Sequence, residues 1–216
     1  MENIDLNNIL NRNGIEKDII SVLDNIRNNK GNNSIKKGIY IYGNPGSGKT
    51  SFMVKILKKM EFDIIKYDAG DIRNKSIMLN ITKYNMSDKN IISCFNKKKR
   101  DIVLVMDEID GMNNGDKGGI SSLIKLIRPK KTNKQKKEEY TLNPIVCISN
   151  YHVDKKIKEL IKVCHSYELN DPNNEQVENI LGDLNIKLSK KTKKTILNYI
   201  NGDLRKINDI YKIYLK

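Results

Sequence analysis

The sequence predicts an α/β fold: a mainly parallel sheet flanked by helices, followed by a small all-helical domain. Two patterns lead to this prediction. Between residues 38 and 170, short β-branched runs bounded by turn residues alternate with helical stretches, which is typical of βαβ units. After Asp171 and Pro172, no strand signal remains and three helical patterns follow. A chain of 216 residues has room for one such α/β domain and a smaller appendage.

The individual elements follow from hydrophobic periodicity and turn residues. Strands are predicted at residues 39–42, 63–67, 102–106 and 145–149. Helices are predicted at residues 15–26, 50–60, 120–127, 153–163, 175–181, 190–200 and 204–215. Gly182 and Gly202 are expected to end the helices at 175–181 and 190–200. We therefore expect an N-terminal helical segment and linker at 1–37, an α/β domain at 38–170 and a small helical domain at 171–216.

Composition argues against several classes of protein. No apolar run approaches the roughly 20 residues needed to cross a bilayer, and the polar, acidic start is unlike a secretion signal. We therefore expect no membrane contact. Cys94, Cys147 and Cys164 form no CxxC pair, which argues against a zinc ribbon or a disulfide scaffold. We expect buried, inert thiols in a reducing intracellular compartment.

The chain is strongly basic, with a net charge of +14 from 40 basic and 26 acidic side chains. A surplus of this size favours a polyanionic partner. An A/T-rich coding sequence is an alternative source of the charge, because 34 of the basic residues are lysine and asparagine and isoleucine are also abundant. Residues 130–139 read KKTNKQKKEE, contain no apolar side chain and predict a solvated loop.

The Walker A pattern GNPGSGKT occupies residues 43–50, between a strand-like run and a helical run, which is the context that the motif requires. Its glycines let the backbone wrap a phosphate chain with N–H groups pointing inward, and the following helix presents its positive end to the same anion. Lys49 is placed to neutralise the β- and γ-phosphates of ATP, and the Thr50 hydroxyl to ligate Mg²⁺. The predicted nucleotide-binding residues are Gly43, Asn44, Pro45, Gly46, Ser47, Gly48, Lys49 and Thr50. The motif makes the predicted fold a P-loop NTPase.

A second motif, DIVLVMDEIDGM at residues 101–112, is an apolar strand that ends in two carboxylates. A buried parallel strand releases its last residues at the carboxyl edge of the sheet, where ligands of open α/β folds bind. We therefore expect Asp107 to hold Mg²⁺ through a water molecule, alongside Thr50. Glu108, the next carboxylate, is the expected general base that polarises the attacking water.

With both motifs placed, the chain resembles the AAA+ ATPases of the clamp-loader group, and within that group the replication factor C large subunits. The stretch MDEIDGMNNGDKGGISSLIKLI at residues 106–127 carries the resemblance. A double glycine between the acidic loop and the following helix occurs in fewer families than the carboxylate pair alone, so it is the more specific motif. YDAGDIRNKS at 67–76, NPIVCISN at 143–150 and NGDLRKI at 201–207 support it. The resemblance covers about residues 38–216.

The resemblance implies an AAA+ sheet with a helical lid and adds two catalytic residues. Asn150, at the sensor 1 position, would orient the attacking water or the γ-phosphate, and Arg205, at the sensor 2 position, would reach the γ-phosphate from the lid. Three departures from the family pattern are visible. The positions of the arginine-finger triplet of the small subunits hold residues 162–164, Lys-Val-Cys, as expected of a large subunit that offers no finger. The N-terminal segment lacks the family's basic, proline-containing adenine motif, and we expect no collar domain after the lid.

The resemblance also implies partners: primer-template DNA, a sliding clamp and the small clamp-loader subunits, in a hetero-oligomer at a nuclear or viral replication site. At Gly118 and Gly119, a helix start would offer N–H groups to a DNA phosphate, with Lys117 and Lys125 nearby. The alternative is that these lysines only solvate a helix.

The sequence thus predicts an ATP hydrolase that couples its cycle to loading a sliding clamp on DNA. One alternative is a non-catalytic, nucleotide-gated adaptor that binds DNA or protein. The other is a different AAA+ remodeller or helicase loader.

Overall fold

A computed structural model describes residues 5–68, 100–114, 119–138, 140–150, 154–186 and 189–214. Within these ranges the chain forms a five-stranded sheet with strand order β2-β3-β4-β1-β5, and every pair of neighbouring strands is parallel. The strands are β1 Gly38–Tyr42, β2 Asp63–Tyr67, β3 Ile102–Met106, β4 Ile145–Ser149 and β5 Cys164–Glu168. The predicted parallel α/β fold is confirmed.

Helices precede, connect and follow the strands. They are α1 Leu6–Ile9, α2 Asn13–Asn28, α3 Lys49–Lys59, α4 Gly119–Ile127, α5 Asn133–Lys136, α6 Lys155–Val163, α7 Asn174–Asp183, α8 Lys190–Ile200 and α9 Leu204–Tyr214, with a 3₁₀ helix at Ile109–Asn114. The structure therefore has helices where the sequence predicts them. Gly202 lies just after α8, as predicted, whereas Gly182 lies inside α7 and the prediction that it ends this helix is wrong. In the described part of the chain, no helix is long and apolar enough to span a membrane.

Three apolar clusters form the core. Side chains that alternate along the strands pack on the two faces of the sheet: Ile39 and Ile41 face α2 and α3, while Tyr40 faces α4 and α6. This alternation follows from the two-residue period of a strand. The third cluster joins α7, α8 and α9 to Leu10, which lies directly after α1. The N-terminal segment therefore packs against both the sheet and the C-terminal helices.

The fifth strand, β5, was not predicted from the sequence. Its residues, CHSYE, include no aliphatic side chain, and after the buried Cys164 its side chains alternate between partly buried and exposed. It pairs with β1 alone, so it is an edge strand with one half-solvated face. The central strands β3 and β4 are instead buried at every position, and their apolar runs made them predictable.

The basic segment after α4 also differs from the predicted solvated loop. Thr132 and Gln135 form a capping box that begins the short helix α5. The Lys130 side chain is buried, and its ammonium donates to the carbonyl oxygen of Lys125 at 2.6 Å and pairs with Glu138 at 3.3 Å. The segment is therefore anchored to the end of α4, while its other lysines remain exposed. Local capping and one buried ion pair supply the order that hydrophobic periodicity could not reveal.

The cysteine prediction is confirmed for two of the three residues. Cys147 and Cys164 are free and buried, and the hydrogen bond with Cys164, together with burial, raises the pKa of the Cys147 thiol. Cys94 lies outside the described residues.

Gly38 shows how closely α4 lies on the sheet. A Cβ atom built on Gly38 would lie 2.4 Å from Ile127 Cγ2 and 2.6 Å from Cys164 Sγ. The side chains of α4 and β5 therefore rest directly on the backbone of β1, the strand that leads into the phosphate loop.

We predict that Gly38→Ala lowers the free energy of unfolding by about 1–3 kcal/mol, because a methyl group there overpacks the core. Gly182→Ala is the control: Gly182 lies in α7 with nothing within 4 Å of its would-be Cβ, so alanine should be neutral or stabilise by up to about 1 kcal/mol. Urea unfolding followed by circular dichroism measures both. Equal losses in the two variants would contradict the packing argument.

Candidate functional site

The loop between β1 and α3 has the backbone of an anion cradle. Gly46 and Gly48 both have φ of +84°, a left-handed conformation that glycine adopts without strain. Gly48 is the N-cap of α3, so the positive end of an 11-residue helix faces the loop. The loop therefore presents N–H groups and a helix dipole to one point, which suits a phosphate chain.

Lys49, the first residue of α3, forms hydrogen bonds with the residues at the start of the loop. Its ammonium donates to the carbonyl oxygens of Gly43 at 3.0 Å and Asn44 at 2.8 Å. Burial lowers the pKa of Lys49, whereas the nearby carboxylates of Asp107 and Asp110 act in the opposite direction. The structure thus holds a cation against the backbone at the start of the loop.

Asp107 and Glu108 follow β3 at the same sheet edge. The Thr50 hydroxyl donates to Asp107 Oδ2 at 3.0 Å, so the second motif meets the first as predicted from the sequence. Glu108 is exposed and has φ of +52°, a conformation uncommon for a residue with a side chain. This backbone turn separates the two carboxylates: Asp107 is buried against Thr50, and Glu108 lines the open cleft.

Asn150 connects the phosphate loop to the acidic segment that follows β3. It follows β4, which lies between β1 and β3 in the sheet. Its side-chain oxygen accepts a hydrogen bond from the Lys49 ammonium at 3.1 Å, and its side-chain nitrogen donates to Asp110 Oδ2 at 3.3 Å. The amide therefore bridges the phosphate loop and the acidic segment.

Arg205 approaches from the C-terminal helices. It lies in the first turn of α9 and its side chain is 70% exposed. Its guanidinium forms a two-pronged ion pair with Asp203, with Nε–Oδ1 and Nη2–Oδ2 distances of 2.9 and 2.8 Å. Hydrogen bonding to Asp203 raises the pKa of Arg205, and the same bonds lower the pKa of Asp203. Arg205 is thus a surface arginine at the mouth of the cleft, held by a carboxylate from its own turn.

The C-terminal helices touch the phosphate loop directly. The backbone N–H of Leu204 donates to the carbonyl of Gly46 at 2.9 Å, and a Cβ on Gly46 would lie 2.2 Å from Asp203 Oδ1. Asn44 also donates to Asp171 at 2.6 Å, in the connection before α7. These contacts close one side of the cleft.

The result is a cleft of about 290 Å³ at the carboxyl edge of the sheet. It is lined by Pro45, Gly46, Gly48, Lys49, Thr50, Ser51, Asp107, Glu108, Asn150 and Arg205. All of these except Ser51 are predicted site residues, so the structure brings most of the predicted site together around one space. Gly43, Asn44 and Ser47 complete the loop behind it, and Lys117 and Gly118 lie outside the described residues.

The oxygen atoms in the cleft suit a Mg²⁺ ion. The Thr50 hydroxyl and the Asp107 carboxylate, which are joined by a 3.0 Å hydrogen bond, are oxygen groups of the kind that Mg²⁺ prefers, and they would hold it directly or through a water molecule. The described residues hold no cluster of three or more His, Cys, Asp or Glu ligands. A hydroxyl and one carboxylate fit the way Mg²⁺ binds with substrate phosphates, which supply further ligands.

Comparison with known proteins agrees with this geometry. The model of the family "ATPase family associated with various cellular activities (AAA)" matches residues 39–169. The chain belongs to this family.

The AAA chain is also similar to replication factor C subunits. It is 29% identical over 187 residues to replication factor C subunit 1 of Drosophila melanogaster, covering 82% of this chain and 18% of that protein. It is 28% identical over 211 residues to the replication factor C large subunit of Methanococcus aeolicus, covering 95% of this chain and 40% of that protein. The chain thus spans less than half of these relatives. The resemblance recognised from the sequence is confirmed.

Solved structures confirm the fold of the AAA chain. A structure of the E. coli MS115-1 HORMA:CdnC:Trip13 complex matches with a TM-score of 0.58 at 14% identity, covering 90% of this chain and 76% of that one. AMPPCP-bound DnaA from Aquifex aeolicus matches with a TM-score of 0.51 at 18% identity, covering 87% and 58%.

Two site residues of the AAA chain escaped sequence reasoning. Lys66, on β2, contacts Asp107 Oδ2 at 3.1 Å and Asp68 Oδ1 at 3.2 Å. The pairing of β2 with β3 brings it there, and an isolated lysine in a lysine-rich chain carries no signal. Arg12, between α1 and α2, donates to the carbonyl of Ser47 at 2.8 Å. Arginine is uncommon in this lysine-rich sequence, which has only six, and this rarity could have singled out Arg12.

A second cavity, of about 300 Å³, lies on the other side of Arg12. It is lined by Leu10, Asn11, Arg12, Ile15, Glu168, Leu169, Asn170, Asp171, Asn173 and Gln176. Apolar and amide side chains dominate this lining, and its two carboxylates make it unsuitable for another phosphate.

Proposed function

We propose that the chain binds MgATP in the cleft and hydrolyses it. One observation carries the proposal: four side chains meet at a glycine-rich loop that leads into a helix N-terminus. They are Lys49, the hydrogen-bonded pair Thr50 and Asp107, and the exposed Glu108. This combination supplies the anion site, the metal ligands and a water activator that phosphoryl transfer needs. A purely structural nucleotide site has no need of the last of these.

Each residue has a distinct part in this chemistry. Lys49 and the loop amides bind the phosphates, and Thr50 and Asp107 would hold Mg²⁺, which neutralises the charge that develops on the phosphate oxygens. Glu108 accepts a proton from the attacking water. Asn150, already hydrogen-bonded to Lys49, orients that water or the γ-phosphate. Arg205 exchanges its partner Asp203 for the γ-phosphate.

The second cavity is the proposed place of the nucleotide base. It lies beside the loop, contains the apolar side chains of Leu10 and Ile15, and offers amide groups such as Asn173 and Gln176. A flat, uncharged heterocycle suits that lining, whereas the carboxylates of Glu168 and Asp171 disfavour a second anion. The sequence alone predicts no residues for adenine recognition, because the family's adenine motif is absent from the N-terminal segment.

We predict that Lys49→Ala weakens MgATP binding at least about 10-fold, because a buried charge-assisted contact is lost. Lys59→Ala is the matched control, since Lys59 lies on the same helix, is exposed and pairs only with Glu16 in the contacts described; surface pairs of this type contribute little. Titration with a fluorescent ATP analogue, with Mg²⁺ and with EDTA, measures both variants and Asp107→Asn. Asp107→Asn should lose the affinity gained from Mg²⁺. Unchanged affinity in Lys49→Ala would contradict the proposed site.

We predict that Glu108→Gln retains ATP and hydrolyses it about 10²–10⁴-fold more slowly, because the general base is removed while the phosphate contacts remain. Glu61→Gln is the control: Glu61 is also exposed and has φ of +58°, but it lies after α3, outside the cleft. Phosphate release measures turnover and filter binding measures retained nucleotide. Normal hydrolysis in Glu108→Gln would exclude Glu108 as the base.

The finer proposal is that ATP turnover drives clamp loading. Its support is the similarity to replication factor C large subunits over 95% of this chain, together with the net charge of +14. In this proposal the three parts 1–37, 38–170 and 171–216 act as N-terminal segment, nucleotide-binding domain and lid. Primer-template DNA, a sliding clamp and small clamp-loader subunits are the partners, and Gly119 with Lys125, at α4, is a candidate DNA contact. A nucleotide-gated adaptor and another AAA+ remodeller remain the competing functions.

We predict slow ATP turnover by the isolated chain, because an arginine supplied by a neighbouring subunit typically adds about 10³–10⁵ in rate. Phosphate release should rise when primed DNA, a sliding clamp and small subunits are added together. Turnover that is already fast alone and indifferent to all three would contradict the loader role. Nucleotide-dependent DNA binding without hydrolysis would favour the adaptor.

A further inference from the structure

Arg12 occupies an unusual position for an arginine. It lies between α1 and α2, and only 5% of it is exposed. Its Nη2 atom donates to two backbone carbonyls that are distant in sequence, that of Ser47 at 2.8 Å and that of Asn170 at 3.0 Å. The guanidinium also lies 5.9 Å from the centre of the Phe52 ring, on α3. One side chain therefore contacts three segments of the nucleotide site.

These contacts place the guanidinium directly behind the phosphate loop. Ser47 is within the loop, and a Cβ built on Gly48 would lie 3.7 Å from Arg12 Nη1. Because the loop turns its N–H groups toward the anion, the carbonyls on its back need other partners. Arg12 supplies one for Ser47, which holds the loop from the side opposite the cleft.

The same guanidinium joins the loop to the connection that leads into the helical domain, and a neighbouring residue packs in that domain. Asn170 belongs to the connection between β5 and α7, and Leu10, two residues before Arg12, is buried in the core of α7, α8 and α9. On the other side, α2 packs against the sheet through Ile19 and Leu23. Arg12 thus lies at the junction where the N-terminal segment, the phosphate loop and the lid meet.

Burial has a consequence for the charge. Desolvation lowers the pKa of Arg12 to about 10, while the carboxylate of Asp171 acts to raise it. The group stays protonated at neutral pH, so a positive charge persists behind the anion cradle. A buried charge without bonding partners is costly, and the two carbonyls are the partners that keep this one in place.

We propose that Arg12 is a positioning residue for the nucleotide site: it holds the phosphate loop in its binding conformation and links that loop to the lid. The proposal deepens the proposed ATP-binding function and rests on it. It assigns a role at the site to the N-terminal segment, which lies outside the family match at 39–169.

The test compares Arg12→Ala and Arg12→Lys with a matched control. Arg27 lies at the other end of α2, packs 4.2 Å from the Phe62 ring centre and donates to the carbonyl of Met60 at 2.9 Å, but it lies away from the cleft. MgATP affinity, turnover and thermal unfolding are measured for all variants. We expect Arg12→Ala to weaken MgATP binding about 10-fold or more, with Arg12→Lys intermediate. Arg27→Ala should lower stability and leave affinity unchanged.

Two further readouts separate positioning from general stability. Low millimolar guanidinium should restore part of the affinity of Arg12→Ala by filling the vacated space. Hydrogen exchange of the amides at 43–50, in protein without nucleotide, should be faster in Arg12→Ala and Arg12→Lys than in the Arg27 variant. The exchange experiment uses Arg12→Lys alone if the alanine variant does not fold.

The outcomes are distinct. If wild-type protein binds MgATP and the Arg12 variants bind it equally well, with unchanged loop exchange, the role of Arg12 is excluded and the ATP-binding function stands. Equal losses of affinity in the Arg12 and Arg27 variants also exclude it, since they indicate loss of stability alone. If the wild-type protein binds no nucleotide, the proposed function fails and the positioning role fails with it.

Discussion

The site depends on one interaction, the hydrogen bond between the Lys49 ammonium and the side-chain oxygen of Asn150. It joins the loop after β1 to the residue after β4, and Asn150 in turn contacts Asp110 beyond β3. Parallel strands release their carboxyl ends at one edge, and the strand order places β4 between β1 and β3. The bond therefore depends on β1 and β4 being neighbours in the sheet. Together with the Thr50–Asp107 bond, it connects the phosphate loop to the acidic segment.

A second constraint is that the phosphate loop is held by two segments that are not part of the sheet. Leu204 and Asp203 lie against Gly46, and Arg12 bonds to the carbonyl of Ser47. A loop with left-handed glycines has few side chains of its own to fix it. External contacts are thus the physical means by which the rest of the chain supports the loop.

This arrangement suits a nucleotide-driven switch. A ligand shifts a conformational equilibrium only through contacts that differ between the two states. Arg205 can provide such a contact, because it lies in the lid, faces the cleft and is paired with Asp203 from its own helix turn. In the proposed cycle, exchange of the carboxylate for a phosphate oxygen would keep the arginine paired while moving the helix that carries it. In the proposed cycle, the energy of nucleotide binding reaches the lid by this route.

An element could be predicted from the sequence where its neighbouring residues alone require it. The central strands were predicted because burial on both faces demands continuous apolar runs such as IVLVM and IVCIS. The phosphate loop was predicted because its conformation requires glycines at set positions. The edge strand β5 was missed, since one half-open face needs no apolar run, and the short helix α5 was missed because a capping box, not hydrophobic periodicity, begins it.

The sequence by itself determined the α/β class, the anion cradle and the carboxylates at the end of β3, because each is encoded by neighbours along the chain. Only the tertiary structure decided that Lys66 contacts Asp107, that Asp203 presses on Gly46 and that Arg12 supports the loop. The physical reason is distance in sequence: these contacts join residues 35 to 157 positions apart, and a single lysine, aspartate or arginine has the same local signature whether it is solvated or buried against a partner.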